Sequence, residues 1–529
     1  MTTWFYIIVM SAWVAVALFD YCEFCYLWQL KEYRLDRFRD FISTRQGKDF
    51  VKSYLIGGRM LFFVLVIFVW FLKIKIASPL FFVIIIVEAI RLAHKFFQGQ
   101  IRYPKRTAKS AIIVTTALAL EIFVLGFSTS AVGVLLIFAL RFFVLTAIVL
   151  AMFLPTKIIK SWFVLLATKK IKKNPTLKVI GITGSYGKTT VKNFLTQILC
   201  EKFKVIAAPK NINTEIGVAR FILKNDFNGQ EVFVVEMGAY NLGEIKMICG
   251  MVKPEIGILT AVNEQHLSLF GSIENIQKAK YELLLSLPKN GLAITNSDNK
   301  YCMEFLAKIK SQVITFGREE KNKPDYLLKN VEKNGDGGIS FSFETAGLKY
   351  KIEAPVIGKH NALNICACIP VAKQLGMSVP EISKQVEKLK LPEGTLQIKK
   401  YGQSVIIDDS YNANPQGFRS ALETLKSFSD DFKKIVITRG MIELGEKSSE
   451  LHVEIGKKIS EVADELVIIA NNNEKDLRSG AEGFKIKILD IYNTDDLLEY
   501  VKKFRETKCA VLLENRLPVA MHNELTKTL

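Results

Sequence analysis

The stretch Lys178-Val-Ile-Gly181-Ile-Thr-Gly184-Ser-Tyr-Gly187-Lys188-Thr189-Thr190 decides how the rest of the chain is read. A β-branched run, predicted as a strand over 178–182, passes straight into a glycine-rich turn and then into a helical pattern over 191–200. Strand, glycine-rich loop, Lys-Thr and helix make the setting in which backbone N–H groups close on phosphates. The lysine there reaches the outer phosphates, a Thr hydroxyl binds magnesium, and the helix N-terminus favours negative charge. Gly184, Ser185, Tyr186, Gly187, Lys188, Thr189 and Thr190 are therefore candidate nucleotide-binding residues. The spacing departs from the general phosphate-loop pattern, because Gly181 stands one residue early and Ile182 takes the first glycine's place.

Downstream, short β-branched runs alternate with helical stretches, which predicts an α/β body with a mainly parallel sheet. Upstream the character changes. Apolar runs recur at Trp4–Phe19, Met60–Leu72, Ile76–Ile90, Ala111–Phe127 and Ala131–Leu154, several near the ~20 residues needed to span hydrocarbon. They predict five crossings, or four if the Met60 run falls short; it is long enough only if it begins near Tyr54 and carries Arg59 within it. The first run has no basic leader and no small-residue cleavage site, so a retained helix is expected. Glu121 and Arg141 each lie ten residues from Ala131, at the corner between the last two runs, so they are expected to meet across a helical hairpin.

Charge placement orients the runs. Lys31, Arg34, Arg37, Arg39, Arg45, Lys48 and Lys52 separate the first two, and Arg91, Lys95, Arg102, Lys105, Arg106 and Lys109 separate the third and fourth. Both loops are expected on the cytoplasmic side, with the corners Lys73–Lys75 and Ser128–Ala131 and the N-terminus outside. Lys157, Lys160, Lys169, Lys170, Lys172 and Lys173 follow the last run and are expected against anionic headgroups. A net charge of +19 on a chain that is half apolar, with 36 Phe, thus fits a multi-pass plasma-membrane protein with basic loops and no nucleic-acid partner. The eight cysteines show no metal-ligand spacing and are read as reduced thiols.

Gly-Ile-Thr-Gly-Ser-Tyr-Gly-Lys-Thr-Thr resembles the nucleotide loop of the Mur ligases, which add amino acids to cell-wall precursors. The resemblance runs from about 178 to 516 and is nearest the D-alanyl-D-alanine-adding branch. Asn211-Ile-Asn213-Thr-Glu215-Ile-Gly217 looks like that branch's Asn-rich segment, and Asp408-Asp409-Ser-Tyr411-Asn412-Ala-Asn414-Pro415 like the signature opening its C-terminal domain. The resemblance implies that Glu236 and His266 bind magnesium with Thr189, and that Lys280 does so if carbamylated. Lys188, Glu236, His266 and Lys280 are then the catalytic residues. Asn296, His360, Asn361, Asp409 and Asn412 complete the implied nucleotide site. Three segments depart from the family pattern. Pro392-Glu-Gly394-Thr395 stands for Pro-Gly-Arg, Arg439-Gly440-Met441 for Gly-Asp-Met, and Leu513-Glu-Asn-Arg516 for Lys-Gly-Ser-Arg. Arg439 is the candidate replacement for the missing cation.

The expected architecture is multi-domain: a membrane domain of about five helices with a basic linker over 1–175, a phosphate-loop α/β central domain over 176–395, and a Rossmann-like α/β C-terminal domain over 396–529. The expected activity is an ATP- and Mg2+-dependent ligase that makes an acyl phosphate and passes the acyl group to an amine. Its expected partners are a carboxylate acceptor of the cell-wall precursor type, an amino acid or dipeptide, and membrane lipids. Soluble members of the branch grip a UDP-sugar with an N-terminal domain that residues 1–175 do not resemble, so a lipid-linked acceptor is favoured over a soluble UDP-linked one. Two alternatives stand beside this reading, a folate- or poly-amino-acid-type ligase of the same superfamily and a non-catalytic membrane scaffold. A cassette transporter is disfavoured, since neither a Leu-Ser-Gly-Gly-Gln segment nor an apolar strand ending in Asp-Glu is found.

Overall fold

The computed structural model describes the chain except residues 1–2, 73–76, 99, 128–130, 210–211, 266, 335–337, 393–394, 411–413, 443, 471 and 527–529. It divides into two compact units, Met1–Ile159 and Lys160–Leu529.

The first unit is helical: α1 (Thr3–Leu30), α2 (Leu35–Ser43), α3 (Arg45–Lys52), α4 (Arg59–Phe71), α5 (Ala77–Phe97), α6 (Ala108–Phe127) and α7 (Ala131–Ala151). A π-helical turn, Tyr54–Gly58, leads into α4, so the second apolar run does begin near Tyr54 and carries Arg59. Among the described residues four helices are long and apolar enough to cross a membrane; the last covers Val132–Ile171 and joins α7 to α8 (Phe153–Ile171). The third apolar run lies on α5. The Lys73–Lys75 corner and residues 128–130 of the other corner fall outside the described residues.

Glu121 and Arg141 meet as expected, Arg141 Nη2 donating to Glu121 Oε1 at 2.6 Å, both buried. They belong to a larger polar core. Asp20 on α1 accepts from Arg141, Arg59 and Arg91 at 2.7–2.8 Å, Arg91 also donates to Glu88 on α5, and Trp13 and Tyr21 donate to Glu121. Each buried charge thus faces opposite charges, the arrangement that makes ionisable groups tolerable away from water.

In the second unit, a nine-stranded sheet spans β1 (Lys178–Thr183), β2 (Val205–Ala207), β3 (Val232–Glu236), β4 (Ile256–Leu259), β5 (Leu292–Asn296), β6 (Gln312–Gly317), β7 (Tyr326–Lys333), β8 (Ile339–Thr345) and β9 (Leu348–Ala354). Its order is β2-β3-β1-β4-β5-β6-β7-β8-β9, parallel as far as β7 and antiparallel from β7 to β9. The central strands β1, β3, β4 and β5 are apolar runs buried on both faces, as parallel strands covered by helices must be. The helices of this part are α9 (Lys188–Leu199), α10 (Glu215–Lys224), α11 (Glu244–Val252), α12 (Leu267–Phe270), α13 (Ile273–Leu285), α14 (Lys300–Met303), α15 (His360–Gln374) and α16 (Val379–Val386). β2 and β3 lie on one side of β1 and β4 onward on the other. The carboxyl end of β1 is therefore a topological switch point, where open α/β sheets form a crevice for ligands.

A second, six-stranded sheet has the order β10-β11-β15-β12-β13-β14 and is parallel except at β10–β11. It contains β10 (Gln397–Tyr401), β11 (Ser404–Asp409), β12 (Lys433–Thr438), β13 (Glu465–Ile468), β14 (Lys487–Asp490) and β15 (Cys509–Glu514). Its helices are α17 (Pro415–Lys426), α18 (Ser448–Ser460), α19 (Glu474–Ala481), α20 (Thr494–Lys502) and α21 (Val519–Thr526).

Candidate functional site

The glycine-rich turn sits at the switch point because β1 ends at Thr183 and α9 starts at Lys188. Gly184 has φ +150 and passes so close to β4's end that a Cβ would stand 2.0 Å from Thr260 Oγ1. Thr260 in turn donates to the Tyr186 carbonyl at 2.5 Å, pinning the loop from outside. Gly187, at φ +80, opens the helix in a left-handed conformation that favours glycine. Lys188 Nζ donates to the carbonyls of Gly184 and Ser185 at 2.6 and 3.2 Å, so the loop's cation is folded over its own backbone.

Beneath the loop, Glu236 ends β3 in register with Ile182. Its Oε2 accepts from Thr189 at 2.9 Å and its Oε1 from Asn213 at 3.0 Å, while Lys192 Nζ lies 3.4 Å from Oε2. Burial works to raise this carboxyl, but Lys188, Lys192 and the two hydrogen bonds outweigh it and hold the group below its usual range. Lys280, buried on α13, is pushed down to about 7 by burial first and by the Lys188 charge second, so near neutral pH much of it is free amine. Thr189 and Glu236 are hard oxygen donors. They suit an ion such as Mg2+, which keeps several waters and takes other ligands from phosphates. Among the described residues no three His, Cys, Asp or Glu side chains gather as a metal site; His266 lies outside those residues.

Beside the loop is a cavity of about 780 Å³ lined by Tyr186, Asn296, Asp298, Arg318, Lys329 and Gln416 among others. Two of the expected nucleotide residues, Tyr186 and Asn296, thus face one space. Asn296 is held by donating to the Thr260 carbonyl at 3.1 Å and accepting from Asp298 N–H at 2.9 Å. His360 and Asn361 are placed differently. They open α15, and Asn361 accepts from Asn364 at 2.9 Å, whose Oδ1 would lie 2.9 Å from a Cβ at Gly187. Asn361 therefore buttresses the loop from behind, and Leu363 is the α15 residue that lines the cavity.

The second sheet reaches the same cavity through Gln416 at the start of α17, whose N-terminus is capped by Asn414. Lys447 pairs with Glu264 across the two sheets' domains at 3.1 Å. Asp409 accepts from the Leu396 N–H at 3.0 Å, tying the end of β11 to the linker between the sheets, and Asn412 lies outside the described residues. Glu514, in a segment that departs from the family pattern, pairs in register with Asp409 and Thr438 and is fully buried, with no hydrogen-bond partner on either oxygen among the described residues. Burial, then Asp409 and Asp408, raises it well above its ordinary value, which favours the protonated form. The sequence reading missed Lys192 and Thr260. Lys192 had a signal, standing one helical turn after Lys188; Thr260, from a different strand, had none.

The Mur ligase middle-domain model matches residues 182–372, and the Mur ligase glutamate ligase domain model matches 396–513. The UDP-N-acetylmuramoyl-tripeptide–D-alanyl-D-alanine ligase of Borreliella burgdorferi is 30% identical over 340 residues, covering 63% of this chain and 68% of that protein. The chain belongs to the Mur ligase family. The enzyme of the same name from Bacillus subtilis is 31% identical over 284 residues, 54% of this chain, and the Mur ligase chain described here spans only 60% of its length. Among solved structures, MurF from Thermotoga maritima in complex with ADP superposes with a TM-score of 0.61 at 29% identity, covering 69% of this chain and 82% of that one. MurF from Acinetobacter baumannii gives 0.61 at 26%, covering 69% and 79%. The helical residues before 160 lie outside both family models.

Proposed function

We propose that this Mur ligase family member is an ATP-dependent amide ligase anchored in the plasma membrane, which activates a carboxylate as an acyl phosphate and joins it to an amino acid or dipeptide. The observation that carries the reading is Glu236, a buried carboxylate kept ionised and aimed by Thr189, Asn213 and Lys192 directly under the Lys188 loop. The T. maritima neighbour's ADP supports assigning the adjoining cavity to an adenine nucleotide.

In this reading Tyr186 and Asn296 bind the nucleotide's base side, and the backbone N–H groups of 184–190 and Lys188 hold its phosphates. Mg2+, when bound, would be held by Thr189, Glu236 and His266 and would spread phosphate charge. Lys188 offsets the negative charge that builds as the acceptor carboxylate takes the phosphoryl group. Lys280, as its carbamate, adds a further anion on the same side of the loop. Gln416 and the Lys447–Glu264 pair hold the C-terminal domain over the cavity and exclude water that would hydrolyse the acyl phosphate.

The five apolar runs serve as membrane spans, with the N-terminus outside and the ligase body cytoplasmic. The acceptor in this reading is itself membrane-bound, a lipid-linked cell-wall precursor ending in a carboxylate, because confinement to the same surface raises its effective concentration. A soluble UDP-linked peptide, suggested by the relatives' names, is the second reading. The test offers both acceptors to the full-length protein in vesicles and follows amide formation. Preference for the lipid-linked acceptor supports the first reading, and turnover on the UDP-peptide alone replaces it with the second.

A further inference from the structure

Helix α8 carries two different faces. On a helix of 3.6 residues per turn, Ile158, Trp162, Leu165 and Lys169 fall within about 40° of one line. All four are exposed, Trp162 at 58% and Leu165 at 51%, and Lys172 and Lys173 extend the line in solvent. The opposite face is part of the ligase body: Ala167 and Ile171 are buried, and Phe163 and Val164 pack with them against the core that includes Val218, Phe221 and Phe233. Polar contacts fix it there. Lys170 Nζ donates to the Leu223 and Asn225 carbonyls at 3.1 and 2.6 Å, Lys160 pairs with Glu215 at 3.2 Å, and Arg220 lies over the Phe163 ring.

We propose that α8 is an interfacial helix, completing the ligase core with its Phe163–Ile171 face and resting its Ile158–Trp162–Leu165 face on the headgroup layer of an anionic bilayer. The inference rests on the membrane reading above and adds to it a fixed seat for the catalytic body. Three features name the bilayer as the occupant. The helix follows directly in sequence on the last apolar run, Ala131–Leu154. Tryptophan and leucine with flanking lysines are the composition of helices that lie in the interface plane. The lysines complement anionic lipid. The consequence reaches the site: α8 packs along α10, whose cap Thr214 follows Asn213, the residue that aims Glu236. The catalytic carboxylate is thereby held at a set height above the surface on which a lipid-linked acceptor would travel.

The test places the photocrosslinker benzoylphenylalanine at Trp162, Leu165, Leu61 on α4, or Tyr492 in the full-length protein. Each variant is reconstituted in phosphatidylcholine vesicles with and without phosphatidylglycerol. Lipid adducts at 162, 165 and 61 and none at 492 are expected, with a several-fold drop at 162, and not at 61, when Lys169, Lys172 and Lys173 are changed to Glu in the phosphatidylglycerol vesicles. Adducts at 61 with none at 162 and 165 overturn the proposal and leave the membrane reading standing. Adducts at 162 to a second copy of the chain also overturn it. Adducts at none of these positions overturn both.

Discussion

Glu121 and Arg141, twenty residues apart on α6 and α7, share a 2.6 Å hydrogen bond with neither side chain more than 1% exposed. Removing one member leaves the other charge buried against an incomplete set of partners, which costs about 3–5 kcal/mol. Arg141→Met is therefore expected to lower the thermal midpoint of the full-length protein sharply, and Glu121→Gln with Arg141→Met to lower it by less than the sum of the two single changes. A double-mutant cycle in detergent measures the coupling, and additive effects would show that the pair does not act as one.

Glu514 offers a pH test outside the helical unit. Its folded-state value stands well above the ordinary one, so the folded protein keeps a proton that the unfolded chain releases above about pH 4.3. Its burial therefore carries no ionisation cost in acid and one that grows as pH rises toward the folded value. Glu514→Gln, which cannot ionise, should match wild type near pH 4 and exceed it at pH 8, because only the carboxyl's stability falls as pH rises between the unfolded and folded values. Urea unfolding at the two pH values checks this, and equal stability at pH 8 would mean that the carboxyl finds compensation in the folded protein.

The loop, its strand and helix, and the parallel sheet were legible because each is local: glycine spacing and β-branched runs declare themselves within a dozen residues. The hairpin pair was also legible, since equal distances from one corner imply equal depth. Asp20 and Glu88 were not read as members of that polar core, because their partners come from helices far apart in sequence. Thr260 escaped for the same reason, a contact between strand ends that only the sheet order creates. His360 and Asn361 show the opposite limit. The motif marks both for the nucleotide, yet neither lines the cavity; Asn361 instead reaches the loop's back through Asn364, a placement that depends on where α15 begins.

Lys280 tests the carbamate directly. Only a neutral amine adds CO2, and a value near 7 leaves the amine mostly free at pH 8 and mostly protonated at pH 6. With 13C-bicarbonate, a carbamate resonance is expected at pH 8, weak at pH 6 and missing in Lys280→Arg at either pH. A wild-type spectrum without it at pH 8 would remove Lys280 from the anionic set.

The ligase reading itself turns on whether phosphate release depends on an amine. Full-length protein in vesicles, given ATP, Mg2+ and a carboxylate acceptor, is expected to release phosphate when the amine is added. Lys188→Ala should lose this by ~10²–10³-fold while remaining folded, because one loop cation is removed and no core packing. Phosphate release that ignores the amine, or that survives Lys188→Ala unchanged, would contradict the account.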